Sequence, residues 1–391
     1  MNESEATMTN HARQLFILRA MQFTNYAFMV LLISYFPLYF DSLGFSKLQI
    51  GAIYSIGPML SIVSNIVVGI VGDRSRNIRR VLSILYVGQI LGLALLLPQK
   101  EFGIMAGIMA FFYFCQTPMN AMMDSVTLLA AERMNRSFPS IRMFGSLGYA
   151  VCAVLFGYIL KHFGSDETII IGLVVVAISL ILSLFVGNYQ ASLRKFEFSG
   201  LIGIFKQRET IAFFVMIMLV SIAHRINEGF LALAMRELNA DDSIIGVASL
   251  ASSVSEIPVF FLLAKYGYRF RELPLLAIAS TMYVVRLGLL SLADEPWMMV
   301  ALQTMHSVTF GIFYITALRY LQIIIPDEFR ASGQAVFAVV WSGLAGVAAG
   351  TLGGWLIDAI GFGSAFRLGA LFALLGAVGF FAMHFRKSYT A

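Results

Sequence analysis

Long apolar runs recur along the whole chain and are separated by short polar segments. Each run is close to the roughly 17 to 25 residues that a helix needs to cross the hydrocarbon core of a bilayer. The connections between the runs leave too few residues for a soluble domain. The pattern predicts twelve membrane-spanning helices, at about 14–38, 48–72, 80–97, 102–127, 144–163, 168–188, 210–235, 244–264, 274–293, 297–321, 332–357 and 364–385.

The composition agrees with this pattern. Hydrophobic residues make up 59% of the chain and charged residues 13%, against roughly 25% charged residues in soluble domains. The mean hydropathy is +0.81. The first apolar run is too long and too poorly flanked for a cleaved signal peptide, so we expect the first span to stay in the protein.

Lysine and arginine are unevenly distributed between alternate connections. Positive residues accumulate in short cytoplasmic loops, so we expect both termini in the cytoplasm and the protein in the cytoplasmic (inner) membrane. The net charge of +5 follows from this asymmetry, and no soluble basic face is left for nucleic acid. The connections expected outside the cytoplasm contain few basic residues, namely Lys47, Lys100, Lys161 and Arg236. The segments expected in the cytoplasm contain many more: Arg13, Arg74, Arg76, Arg79, Arg80, Arg133, Arg136, Arg194, Lys195, Lys206, Arg208, Lys265, Arg269, Arg271, Arg330, Arg386 and Lys387.

The longest polar connection follows the sixth run and divides the chain into near-equal halves. Shifting the sequence by 195 residues aligns Ile50 with Ile245 and Arg74 with Arg269. Two parallel repeats of six spans are a transporter architecture, with the substrate site near the bilayer midplane. We therefore predict an N-terminal six-helix bundle over 1–188, a cytoplasmic linker over 189–209 and a C-terminal six-helix bundle over 210–391.

Three ionisable residues lie in the middle of successive apolar runs: Glu256, Arg286 and His306. A charge at such a depth costs at least ~2.5 to 3.5 kcal/mol and usually marks a transport pathway. Counted at 1.5 Å per residue, the three lie at comparable depth, so we expect them to converge. Pro258 is expected to open the helix beside Glu256. The alternative is a structural ion pair between Glu256 and Arg286, with His306 as a hydrogen-bonded interior histidine.

The loop after the second run reads GIVGDRSRNIRR, residues 69–80. A glycine lets a helix end approach a neighbour closely, and an aspartate interacts well with a helix N-terminus or an arginine. The segment resembles the signature of the major facilitator superfamily, except that the usual glycine before the basic pair is replaced near Asn77. The resemblance implies a gating loop formed by Gly69, Asp73, Arg74, Arg79 and Arg80. The alternative is an ordinary positive-inside loop.

Further segments, including RMFGSLGYAV (142–151) and TMHSVTF (304–310), are similar to the branch that contains the lactose permease, the phenylpropionate permease and nucleoside symporters. The fold implied is an all-α membrane protein with twelve helices in two pseudo-symmetric six-helix bundles. The pattern's lysine in the tenth helix is Gln303 here, and its proton-binding carboxylate is Thr309. Substrate-binding roles are implied for Asp124, Arg142, Tyr149, Glu256, Arg286, His306 and Gln303.

The resemblance implies secondary transport of a small organic solute by alternating access. An aromatic carboxylate, a nucleoside or a sugar would suit a site with aromatic surface and an arginine. Because Thr309 is not a carboxylate, we expect proton coupling to depend on Glu256, with His306 assisting. The Asp124–Arg142 pair has an alternative function, which is to hold the loop between the fourth and fifth helices.

Other classes of function are less well supported by the sequence. It contains no metal-ligand cluster, nucleophile motif or phosphate-binding loop, so we expect neither an enzyme nor a cofactor. We expect a monomer whose partners are the bilayer, protons and a small molecule. The alternatives are a proton-driven drug or metabolite exporter of the same superfamily and a transporter-like sensor. The fifth helix lacks the proline expected in an exporter.

Overall fold

The computed structural model describes residues 3–75, 77–187, 189, 207–326 and 329–390. Within these residues it has no β-strand and contains twelve helices that are long and apolar enough to cross a membrane. They are α1 (His11–Ser42), α2 (Lys47–Gly72), α3 (Ile78–Leu96), α4 (Phe102–Arg133), α5 (Pro139–Phe163), α6 (Ser165–Phe185), α7 (Arg208–Glu237), α8 (Asp242–Leu263), α9 (Glu272–Leu290), α10 (Pro296–Ile324), α11 (Gly333–Ile360) and α12 (Phe362–Arg386).

Each apolar run of the sequence coincides with one of these helices to within a few residues, so the predicted twelve-span, all-helical fold is confirmed. The internal repeat is also visible in the positions where helices begin. The first residue of α2 is Lys47 and that of α8 is Asp242, which are separated by the same shift of 195 residues that aligns the two sequence halves. The duplicated sequence therefore gives two sets of six helices.

The chain forms two compact units. The first unit comprises Met1–Leu43 and Met59–Leu193, and the second comprises Gly44–Pro58 and Arg194–Ala391. The first half of α2 is therefore part of the second unit. Of the linker predicted at 189–209, residues 190–206 lie outside the described part of the chain.

In the first unit, α1 and α5 pack with their backbones in close contact. A Cβ atom at Gly148 would lie 2.2 Å from the carbonyl oxygen of Phe23. One turn earlier, a Cβ at Gly145 would lie 2.7 Å from the ring of Tyr26. Small residues at such positions are what allows two membrane helices to approach. The approach brings Tyr26 of α1 beside Arg142 of α5.

In the second unit, the first half of α2 packs against α11 through glycines. A Cβ at Gly350 would lie 2.4 Å from both the carbonyl oxygen of Gly51 and the hydroxyl of Ser55. At the start of α2, the Asp358 carboxylate accepts hydrogen bonds from the backbone N–H groups of Lys47 and Leu48, each at 2.8 Å. Asp358 therefore supplies the acceptor that the first turn of α2 needs.

Two helices of the second unit are irregular near their middles. The regular helix Pro296–Gln303 of α10 is followed by a turn and by a π-helical segment at Ser307–Gly311. A second π-helical segment at Val339–Leu344 interrupts α11. Such segments occur frequently at functional sites.

The opening predicted at Pro258 is wrong, because the helix Asp242–Tyr266 runs through that residue without interruption. A proline removes only one backbone donor, and the hydrogen bonds on either side of it maintain the helix. The irregular helix at this depth is α10, on which His306 lies.

Candidate functional site

The structure brings the three charged residues of the apolar helices together in the second unit. The Nε2 atom of His306 lies 3.1 Å from Oε1 of Glu256. The Nη1 atom of Arg286 lies 3.2 Å from Nδ1 of His306. His306 therefore lies between a carboxylate from α8 and a guanidinium from α9.

Arg286 is completely buried and holds two further partners from α10. Its Nη2 donates to Oε1 of Gln303 at 2.5 Å, and its Nη1 donates to the hydroxyl of Thr309 at 3.0 Å. Thr309 thus contacts Arg286 as a neutral acceptor. Among the described groups, Nε of Arg286 is buried and has no hydrogen-bond partner.

These hydrogen bonds determine which nitrogen of His306 carries the proton. A guanidinium can only donate, so Nδ1 of His306 must accept, and the ring proton must lie on Nε2. Nε2 then donates to Glu256, which acts as the acceptor. With Arg286 in place, the imidazole is neutral and directs its single N–H group at the carboxylate.

The irregular segment of α10 positions this group. His306 lies directly before the π-helical segment Ser307–Gly311, and Thr309 lies within it. A π turn changes the angular position of the residues that follow it, which allows Gln303, His306 and Thr309 to contact the same guanidinium. Glu256 and His306 keep part of their side chains accessible, 21% and 18%.

A second charged group lies beside the first, on α7. Arg225 donates to Oε2 of Glu228 at 2.6 Å and to the hydroxyl of Ser342 at 2.8 Å. Nε2 of His224 lies 3.8 Å from the same carboxylate oxygen. The ring centroids of His224 and His306 are 5.8 Å apart, so the two groups are neighbours.

Stacked aromatic rings join the two charged groups. Phe310 stacks on His306 with centroids 5.0 Å apart and on His224 with centroids 4.9 Å apart. Tyr314 also stacks on Phe310 at 5.3 Å, and Trp341 stacks on His224 at 5.2 Å. The second unit therefore places carboxylates and arginines next to a continuous aromatic surface, of which Phe310 and Tyr314 are partly accessible and His224 and Trp341 are buried.

Sequence reasoning did not single out Phe310, Trp341 or His224 as part of this group. For Phe310 a signal was present, because His306, Phe310 and Tyr314 follow one another at intervals of four residues and so share one helix face. For Trp341 there was none, because its contact with His224 joins α11 to α7.

The first unit contains a smaller polar group. Nε of Arg142 donates to Oδ1 of Asp124 at 3.1 Å, and Nη2 of Arg142 donates to the hydroxyl of Tyr26. The guanidinium also lies over the Tyr26 ring, 4.2 Å from its centroid. The Arg142 and Asp124 side chains are 27% and 43% exposed, so the pair is accessible. Tyr149 is half-buried, two turns beyond Arg142 on the same helix.

Uncharged polar residues extend this group along α1 and α4. Nδ2 of Asn25 donates to Oδ1 of Asn120 at 2.8 Å, and Nε2 of Gln22 donates to the hydroxyl of Thr127 at 2.9 Å. The sequence interpretation missed these residues. Asn120 precedes Asp124 by four residues, so the two share a face of α4.

The predicted gating loop is only partly described. Gly69 lies within the helix Lys47–Ser75, and none of the residues that the structure describes lies within 4 Å of a Cβ built on it. The expected close approach of another helix at Gly69 is therefore wrong. Arg74, Arg79 and Arg80 are exposed, and the side chain of Asp73 lies outside the described ones. The Asn77 side chain accepts from the backbone N–H of Arg80 and so caps α3.

No group of three or more metal-ligating side chains suited to a metal ion occurs among the residues that the structure describes. Cys115 and Cys152 are buried free thiols in the first unit. Both groups therefore consist of hydrogen bonds, ion pairs and aromatic rings, an arrangement suited to binding an organic solute and to moving a proton.

Comparisons with known proteins place the chain among transporters. The model of the MFS_1 like family matches residues 15–368. The chain is 24% identical over 334 residues to the uncharacterized transporter YwbF of Bacillus subtilis (strain 168), covering 85% of this chain and 83% of that protein. It is 23% identical over 340 residues to the putative nucleoside transporter YegT of Escherichia coli (strain K12), covering 82% and 79%.

A solved structure has the same fold. The crystal structure of the nucleoside transporter NupG superposes with a TM-score of 0.86 at 17% sequence identity, covering 95% of this chain and 99% of that chain. At this identity the likeness concerns the fold of the chain.

Proposed function

The chain belongs to the major facilitator superfamily, in its MFS_1 like family of transporters, and on that premise we propose that it is a proton symporter. It carries a small organic solute across the cytoplasmic membrane by alternating access. Both termini face the cytoplasm, as the distribution of lysine and arginine indicates. The observation that carries the proposal is a pair of side-chain hydrogen bonds inside membrane helices, in which His306 joins Glu256 to Arg286.

Glu256 is the proton carrier in this proposal, and His306 assists it. Because Arg286 donates to Nδ1 of His306, the ring keeps its proton on Nε2 and can only donate to Glu256. This donation stabilises the ionised carboxylate. When Glu256 takes up a proton, its new O–H group cannot donate to His306 and must turn to another acceptor. A substrate hydroxyl or carbonyl can be that acceptor, which would couple proton uptake to substrate binding.

The aromatic rings of the second unit favour a solute that contains a flat ring. The carboxylates of Glu228 and Glu256 balance Arg225 and Arg286 while Glu256 is ionised, and protonation of Glu256 leaves this group with one net positive charge. Phe310 and Tyr314 keep part of their surface accessible, and a heterocycle can stack on these rings in the offset arrangement that aromatic pairs prefer.

We favour a nucleoside, because its flat base can stack on aromatic rings and its sugar hydroxyls can accept a hydrogen bond from protonated Glu256. The similarity to the putative nucleoside transporter YegT supports this class. An aromatic carboxylate is the second candidate, because it would balance the positive charge that remains when Glu256 is protonated. A sugar would form hydrogen bonds with the carboxylates and with the amide of Gln303, but it has no flat ring to stack on the aromatic surface.

We assign the remaining roles as follows. Gln303 and Arg286 form hydrogen bonds to the solute or position those groups that do. Asp124, Arg142 and Tyr149 bind the solute from the first unit, since the Arg142–Asp124 pair is accessible. The cytoplasmic gate consists of Asp73, Arg74, Arg79 and Arg80, and Gly69, which none of the described helices approaches, is left out of it.

Counterflow in proteoliposomes tests the carrier proposal directly. Vesicles loaded with unlabelled uridine, phenylpropionate or maltose receive the same solute in labelled form outside. We expect saturable accumulation of labelled uridine that exceeds accumulation of the other two. A channel would equilibrate the label without this overshoot. Absence of exchange for all three solutes, in vesicles where the protein elutes as a folded monodisperse species before reconstitution, would contradict the proposal.

A further inference from the structure

A basic groove lies in the first unit, where the start of α3 meets the end of α6. It has a volume of about 450 Å³ and is lined by Asn77, Arg79, Arg80, Ser83 and Leu184. A hydrogen bond of 2.9 Å between the hydroxyls of Ser83 and Ser183 joins the two helices beside the groove. None of these residues belongs to the two polar groups described above.

The two arginines of the groove lack the carboxylate partner that some other arginines of the protein have. Arg142, Arg225, Arg236 and Arg319 each form an ion pair with a carboxylate. Among the side chains that the structure describes, no carboxylate lies within ion-pairing distance of Arg79 or Arg80, and both are exposed. The groove therefore carries positive charge that the described part of the protein does not neutralise.

An apolar surface continues from the groove along both helices. On α3, Ile84, Val87 and Leu91 are 59%, 44% and 53% exposed. On α6, Ile181 and Leu184 are 57% and 44% exposed. These side chains are apolar and lie within membrane-spanning helices, where such a surface suits contact with lipid acyl chains. A cationic groove thus lies at the end of a lipid-facing surface.

We propose that this groove binds the phosphate of an anionic phospholipid through Arg79 and Arg80, with the acyl chains lying along α3 and α6. Basic pockets between membrane helices on the cytoplasmic side suit such headgroups. Guanidinium groups also match phosphate oxygens in charge and in fork geometry. The surface of Ile84, Val87 and Ile181 explains why a lipid is favoured over a free phosphate ion.

Native mass spectrometry of the delipidated full-length protein in detergent tests the assignment. Phosphatidylglycerol, phosphatidylcholine and inorganic phosphate are added separately at matched concentrations. We expect phosphatidylglycerol to bind with higher affinity than phosphatidylcholine. The double variant Arg79→Gln/Arg80→Gln should weaken phosphatidylglycerol binding by about thirtyfold, since each arginine near the surface contributes about a fivefold change. The matched control Arg136→Gln/Arg208→Gln removes two exposed arginines from the same side of the membrane and should leave that binding unchanged.

Two more variants keep the test decisive if the glutamine variant does not fold. Arg79→Lys/Arg80→Lys preserves the charge and should retain most of the binding. Leu184→Trp fills the groove without altering its charge and should weaken the binding. Equal phosphatidylglycerol binding by the groove variants and the control would overturn the proposal. Displacement of the lipid by an equal concentration of inorganic phosphate would also overturn it, because the site would then recognise a free anion.

Discussion

Among individual residues, His306 is the one whose hydrogen bonds most directly determine its role in the site. Its two nitrogens contact groups of opposite charge, Glu256 at 3.1 Å and Arg286 at 3.2 Å. Arg286 fixes the imidazole in one tautomer. The ring therefore accepts a hydrogen bond from Arg286 at Nδ1 and donates one to Glu256 from Nε2, and its own charge does not change. On this interpretation His306 positions Glu256, and Glu256 alone binds the transported proton.

Replacing His306 by glutamine separates these roles. A glutamine side chain can accept from Arg286 through its oxygen and donate to Glu256 through its nitrogen, but it cannot bind a proton. We expect His306→Gln to retain pH-driven uptake and His306→Ala to lose most of it, because alanine leaves two buried polar partners without hydrogen bonds. Initial rates of uptake under an imposed pH gradient measure both. Equal loss of pH-driven uptake in both variants would indicate that His306 itself titrates.

Phe310 supplies the central ring of the aromatic surface. Phe310→Leu keeps an apolar side chain but removes the stacking face that His306 and His224 share. Because aromatic pairs are worth about 0.5 to 1.5 kcal/mol beyond burial, we expect solute affinity to fall by roughly two- to tenfold. Isothermal titration with the solute that gives counterflow measures this. Phe163→Leu, at a ring that is 73% exposed, is the control and should bind normally.

At the scale of elements, the contact between α2 and α11 depends on small residues. A Cβ added at Gly350 would lie 2.4 Å from the Gly51 carbonyl oxygen, so the two helices must separate. We expect Gly350→Ala to destabilise the purified protein by about 1 to 3 kcal/mol, as overpacking does. Thermal unfolding in detergent provides the measurement.

The control for this substitution is Gly107→Ala on α4, where a Cβ meets nothing within 4 Å. Alanine favours a helix more than glycine does, so the control should be neutral or slightly stabilising. A melting temperature for Gly350→Ala equal to that of the control would contradict the close packing of α2 on α11.

Asp358 holds the start of α2 through two backbone hydrogen bonds. Loss of a capping side chain costs about 0.5 to 2 kcal/mol, so Asp358→Ala should lower the melting temperature of the protein. Asp294→Ala removes an exposed carboxylate from a loop and serves as the control. Hydrogen exchange should also become faster in the first turn of α2. Unchanged exchange at Lys47 and Leu48 would contradict the capping role.

The elements also show how far the sequence determines the structure. Apolar length predicts all twelve helices, because the bilayer sets a minimum span and backbone groups in lipid must be satisfied within the helix. The convergence of Glu256, Arg286 and His306 follows from their similar depth. The break in α10 could not be predicted from Pro258, because that proline is accommodated within a continuous α8. Contacts such as Trp341 with His224 depend on packing between distant helices and leave no local signal.

At the scale of the whole molecule, the two halves share a repeated arrangement of helices but differ in the charged residues that they contain. The shift of 195 residues relates the two sets of helices, but the ionisable residues of the two halves differ. Among the described residues, the polar group of the first unit contains the accessible pair Arg142 with Asp124, whereas the group of the second unit contains two carboxylates and two arginines beside stacked rings. We expect proton coupling to be a property of the second unit.

The most direct test of the account is substrate-induced proton movement in proteoliposomes. A pH-sensitive dye inside the vesicles reports acidification when the transported solute is added outside. We expect the wild-type protein and the control Glu237→Gln, at an exposed position, to acidify the lumen. Glu256→Gln should give no acidification while it still exchanges labelled for unlabelled solute. Uptake by Glu256→Gln that carried protons and followed a pH gradient as in the wild type would contradict the central claim.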